Sequence, residues 1–92
     1  MVRSETTATT QRVVALTPTG LAVYLDDWAR RREKVLRLLD LRAARQARQL
    51  AGECRRIAAE TVLHEPAWAA LRGRICTFLE EAEAAESQLR RG

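Results

Sequence analysis

Cys54, Cys76 and His64 are the side chains best suited to nucleophilic or metal chemistry in this sequence. A single histidine, with Glu65 beside it, supplies too few ligands for zinc or haem, so His64 reads as a solvated turn residue. Two cysteines fall far short of a disulfide framework and form no paired Cys motif. Helix axes normally lie about 8–10 Å apart, which disfavours a bridge between helices and leaves two thiols. Asp40, Glu53 and Glu60 fall off the main apolar stripe, where they are poorly placed for acid–base work in a core. Neither a Gly-rich phosphate loop nor a Ser/His/Asp arrangement is present. The chain is therefore expected not to be an enzyme, with no cofactor and no metal.

The cations are a different matter. Sixteen Lys and Arg against twelve Asp and Glu give +4 over 92 residues, and all but Lys34 of the sixteen are Arg. Arginine suits bidentate phosphate contacts, although an Arg-rich composition also follows from a GC-rich genome of bacterial type. The densest cluster, Arg30, Arg31, Arg32, Lys34 and Arg37, is the candidate anion contact, for nucleic-acid phosphate or an anionic membrane surface. Interleaved aromatics that would stack bases are missing from it.

The elements that must carry these residues are helices. Alanine, leucine and arginine dominate, while Gly numbers four and Pro two, a composition unlike that of a β-sandwich or barrel. Residues 1–16 are expected to be a flexible, Thr-rich tail with a short apolar stretch, Arg12 to Leu16, able to form a strand or to pack on a helix. Thr17-Pro18 then starts a helix, with Thr capping and Pro in the first turn. Good helix formers continue to Leu63, so one helix of about 46 residues and roughly 70 Å is expected over 18–63. Glu65-Pro66 ends it, and a second helix is expected over 66–91. The charged run after Ala29 offers the main alternative: a break near residue 31 and a three-helix bundle.

The second helix shows a heptad of Trp68, Leu71, Ile75, Phe78, Ala82, Ala85 and Leu89. In the long segment Leu36, Leu39, Ala43, Ala47, Leu50, Cys54, Ile57 and Thr61 form a matching stripe. The expected fold is thus all-α, a long-short antiparallel hairpin of coiled-coil type over 17–92. Facing positions would sum to about 130, which sets Arg42, Arg45 and Arg48 beside Glu80, Glu81, Glu83 and Glu86.

In that hairpin, residues 18–38 have no partner helix within the chain. The candidate protein interface follows: Leu21, Tyr24, Leu25, Trp28, Val35, Leu36, Leu38 and Leu39, an apolar stripe too large to leave in water. A homodimer completing a four-helix bundle would cover it.

Two local resemblances accompany this reading. Arg12-Val13-Val14-Ala15-Leu16-Thr17-Pro18-Thr19-Gly20, followed by a helix, is similar to the last wing strand and next helix of MarR- and PadR-type winged-helix regulators. That likeness covers nine residues and implies a dimerising role, without the DNA-reading portion that precedes the wing in those families. Leu36 to Arg42 resembles the start of the long first helix of chorismate mutases, but Glu53 stands where their basic residue belongs.

The expected function is a small helical protein–protein interaction module, an adaptor, chaperone-like or assembly factor. The alternative is a nucleic-acid-associated regulator or a dimerisation module. A homo-oligomer or a helical protein is the expected partner, with nucleic acid second. No apolar run is long enough for a membrane span and no secretory signal is visible, so a cytoplasmic location is expected.

Overall fold

The computed structural model describes residues 11–35 and 41–91, and the side chains of 11–34 and 42–88. Three helices carry the fold: α1 (Pro18–Val35), α2 (Leu41–Ala58) and α3 (Glu65–Arg91). No strand occurs among the described residues. Residues 11–14 form a helical turn instead, closed by Ala15 N–H to Gln11 C=O at 3.2 Å. This removes the wing-strand likeness of Arg12 to Leu16. Val13 in that turn is fully buried and joins the core, so the segment next to α1 is packed rather than loose.

Local chemistry sets the helix ends. The Thr17 hydroxyl accepts the Gly20 N–H at 3.0 Å, the N-cap bond expected of Thr-Pro. A Cβ at Gly20 would stand 3.2 Å from that hydroxyl and 3.4 Å from Leu16, so a larger residue there asks the Thr17 hydroxyl to give by a few tenths of an ångström. At the end of α2, Glu60 N–H turns back to Ile57 C=O at 3.1 Å, tightening the last turn. The Trp68 N–H bonds the His64 carbonyl at 3.0 Å, so His64 is the N-cap of α3 and Glu65 begins its first turn.

The expected single helix over 18–63 is corrected by its ion pairs. Arg55 bonds Asp26, and Arg48 bonds Glu33 at 2.8 Å and 3.0 Å. In one continuous helix Asp26 and Arg55 would lie roughly 44 Å apart. The chain instead reverses between Val35 and Leu41, and α1 packs antiparallel on α2. Of the two architectures weighed, the three-helix arrangement is the one present, but α1 runs through residue 31 without a break.

Burial explains the reversal. Folding back lets Leu21, Ala22, Leu25, Trp28 and Ala29 of α1 meet Ala44, Ala47, Leu50, Ala51 and Cys54 of α2, all at most 4 % exposed. Five of those ten are alanines, which let the two helices approach closely. Removing this much apolar surface from water outweighs the few backbone bonds that a continuous helix would add. α3 completes the core with Trp68, Leu71, Ile75 and Leu79. Its buried row drifts from Ile75 to Leu79, while Ala85 is exposed, as in a straight helix of 3.6 residues per turn rather than a strict heptad.

Candidate functional site

Leu21 and Leu25 of the expected interface are fully buried and Trp28 is 4 % exposed, all in the core shared by α1, α2 and α3. Tyr24 is half-buried against the same core. The premise that no element of this chain covers the stripe is thereby corrected: α2 and α3 cover it. Leu36, Leu38 and Leu39 lie outside the described residues, as do Arg37 and the side chain of Val35.

The expected anion contact is also engaged. Arg31 pairs with Asp27 one turn back, and Arg30 reaches the same carboxylate at 3.8 Å. Arg32 is more deeply held. Its guanidinium donates to Glu86 at 2.7 Å and 3.0 Å and lies 3.9 Å above the Trp28 ring. The Trp28 indole N–H points to Glu83 at 3.4 Å, and its ring meets Phe78 edge-on at 5.4 Å. This cluster clasps α1 to α3, with a guanidinium held by Glu86 and the Trp28 ring in its middle. Lys34 is exposed.

Among the described residues, Arg42, Arg45 and Arg48 form no ion pair with Glu81 or Glu86 of α3. α3 runs parallel to α1, so Glu86 meets Arg32, while Arg48 turns to Glu33 and Asp26 of α1. Arg48 holds the Glu33 carboxyl below its usual range, chiefly through the hydrogen bonds between them. Among the described residues α2 and α3 are joined by the ion pair of Arg74 with Glu53, at 3.1 Å for both nitrogens.

The nucleophile candidates fit a structural role. Cys54 and Cys76 are both free thiols. Cys54 is fully buried, and burial pushes its thiol up to about 11. Among the described residues no group of three His, Cys, Asp or Glu side chains is gathered as a metal would need. No helix among them is long and apolar enough to cross a membrane.

No family model matches the chain, and no curated protein or solved structure does either.

Two surfaces among the described residues could receive a partner, and both border α2. The first is an open groove of about 490 Å³ between α2 and α3. Leu50 and Phe78 form its apolar floor, small residues Ala69, Ala70 and Gly73 its α3 wall, and Arg74 and Glu81 its charged rim. α2 packs far more closely on α1 than on α3, which is why the groove stays open. The second surface is the outward side of α2. Arg42, Arg45, Gln49 and Arg56 are all exposed there, and the arginines form no ion pair among the described residues. Gly73 is a signal that the pattern of apolar residues passes over: an exposed glycine in mid-helix with nothing within 4 Å of a Cβ is not required by packing inside the chain.

Proposed function

We propose that the chain is a small helical interaction module whose binding surface is the groove between α2 and α3, and that a second copy fills it. The observation that carries the reading is the pattern of this groove: an apolar floor, small residues along one wall, and opposite charges at positions 74 and 81. Placed antiparallel about its own midpoint near Thr77, α3 of a second copy sets each Arg74, which already holds Glu53 of its own chain, opposite the other's Glu81 as a second acid. Such self-complementarity is what a two-fold interface requires. Ala69, Ala70 and Gly73 let the two helices approach, and half-buried Phe78 with exposed Ala69 and Ala70 supplies apolar area to bury. An adaptor or assembly role follows from this kind of helix-on-helix contact.

Sedimentation of the purified chain from about 1 to 200 μM tests it. Mass is expected to rise toward twice 10.4 kDa. Gly73→Leu, whose Cβ meets nothing within 4 Å and whose branched end projects into the groove, is expected to hold the mass at one copy while circular dichroism stays helical. A wild-type chain that remains one copy throughout sinks the reading.

A further inference from the structure

We infer that the outward side of α2 is a docking ridge for the sugar–phosphate backbone of a nucleic-acid duplex. This surface is separate from the groove and from the arginine cluster of α1. At 100° per residue, Arg42, Arg45, Gln49, Gly52 and Arg56 fall within about 80° of arc, opposite the buried row Ala44, Ala47, Ala51 and Cys54. Arg42, Arg45, Gln49 and Arg56 are exposed. From Arg42 to Arg56 the row spans about 21 Å along a rigid helix.

Arg30, Arg31, Arg32, Arg48, Arg55 and Arg74 each hold a carboxylate, and Arg72 lies 5.5 Å over the Trp68 ring. Arg42, Arg45 and Arg56 hold none among the described residues. Among the described residues Arg12 and Lys34 also hold no carboxylate, but they stand on separate elements; this row brings three such cations onto one face of one helix. The one acid of α2, Glu53, is neutralised by Arg74. Glu60 lies beyond the helix end and forms no ion pair with Arg56 among the described residues. Three unneutralised guanidiniums thus stand in line, with Gln49 as an uncharged hydrogen-bonding group between them and Gly52 leaving the row level.

The chemistry of this row selects among anionic partners. A membrane-binding helix needs an apolar edge to insert beside its charges, and this face has none. An acidic peptide would have to lose its chain entropy to match fixed charges. A duplex is already rigid and carries a negative charge every 1.7 Å or so of its axis. Arginine forks suit its phosphate oxygens, and its major groove, about 12 Å wide, admits a helix.

Fluorescence anisotropy with a labelled 20-base-pair DNA duplex, read across a salt series, tests the inference. Neutralising three phosphates predicts a slope of log K against log salt near −2.7, from about −0.9 per contact. The variant Arg42→Gln/Arg45→Gln/Arg56→Gln is expected to bind at least tenfold more weakly at 50 mM salt and to lose most of that slope. A control with the same loss of charge, Arg30→Gln/Arg31→Gln/Lys34→Gln, is expected to change affinity by less than threefold. Circular dichroism confirms that both fold. Equal losses in the two variants reduce the effect to net charge and overturn the inference. So does the absence of wild-type binding at low salt, or tighter binding to phosphatidylglycerol vesicles than to the duplex.

Discussion

Arg32 is the residue that most changes meaning between the chain and its fold. In the sequence it belongs to a run of cations; in the structure it is the centre of a clasp with Glu86, Trp28 and Glu83. Its side chain is 18 % exposed and that of Glu86 is 13 %, so the pair is little screened by solvent. Hydrogen bonds to charged groups of this kind are worth about 1.5–3 kcal/mol, and lysine cannot reproduce the planar fork or the ring contact. Arg32→Lys is accordingly expected to lower stability to urea by about that amount, while Arg31→Lys, on an exposed pair, is expected to shift it by under about 0.5 kcal/mol. Equal effects from the two variants would refute the clasp. Cys54 offers a pH-dependent check of the core. Burial raises its thiol from the usual 9.0 to about 11, with Glu53 adding and Arg55 opposing. The native state thus keeps a proton that the unfolded chain releases above pH 9. Its contribution to stability is full below pH 9 and is lost as the pH rises to 11, on the order of 2–3 kcal/mol. Urea melts at pH 8 and 10.5 are expected to show a loss in the wild-type chain that Cys54→Ala lacks. The same loss in both proteins would remove Cys54 as its source.

At the level of elements, the start of α1 and the course of α3 were legible; the end of α2 at Ala58 rather than residue 63 was not, and the reversal between α1 and α2 was legible only as the alternative of a break near residue 31. Thr17, Pro18, Glu65 and Pro66 act locally, through caps and fixed dihedrals, so neighbouring residues suffice to read them. The close packing of α1 and α2 depends on Ala22, Ala29, Ala44 and Ala51, which are buried but look neutral beside the leucines. A stripe counted from Leu21, Leu25 and Trp28 therefore seemed uncovered. Once α2 folds onto α1, the apolar surface assigned to a partner becomes core, and the arginines of α2 change their acidic neighbours. Glycine placement carries a separate prediction. Gly52 and Gly73 each sit inside a helix, with nothing within 4 Å of a Cβ. Each costs roughly 0.5–1 kcal/mol relative to alanine in a helix interior. Gly52→Ala and Gly73→Ala are expected to raise the stability of the chain by that amount apiece, additively, in thermal or urea melts. A loss of stability in either would mean that the glycine serves packing within the chain.

For the whole molecule, the question is whether one chain folds by itself or needs another to complete its core. The buried row runs through all three helices and Val13, and no buried side-chain nitrogen or oxygen among the described residues lacks a hydrogen-bond partner. Among the described residues this core is assembled within one chain. Leu25, fully buried at its centre, separates the two possibilities. If its stripe were a dimer interface, Leu25→Asp would yield a folded single copy. As a core position, it would place an unpaired carboxylate among apolar side chains, at a cost of several kcal/mol that a domain of this size cannot absorb. Leu25→Asp is therefore expected to unfold the chain at every concentration. The groove predicts the opposite dependence. A second copy bound only by the folded chain stabilises it by mass action, so the wild-type melting temperature should rise between about 5 and 200 μM. Gly73→Leu should abolish that rise and still melt cooperatively. Circular dichroism melts of the three proteins over this range decide the matter. A folded, single-copy Leu25→Asp would return the interface to the Leu21–Trp28 stripe, and a wild-type melt independent of concentration would leave the groove without its second copy.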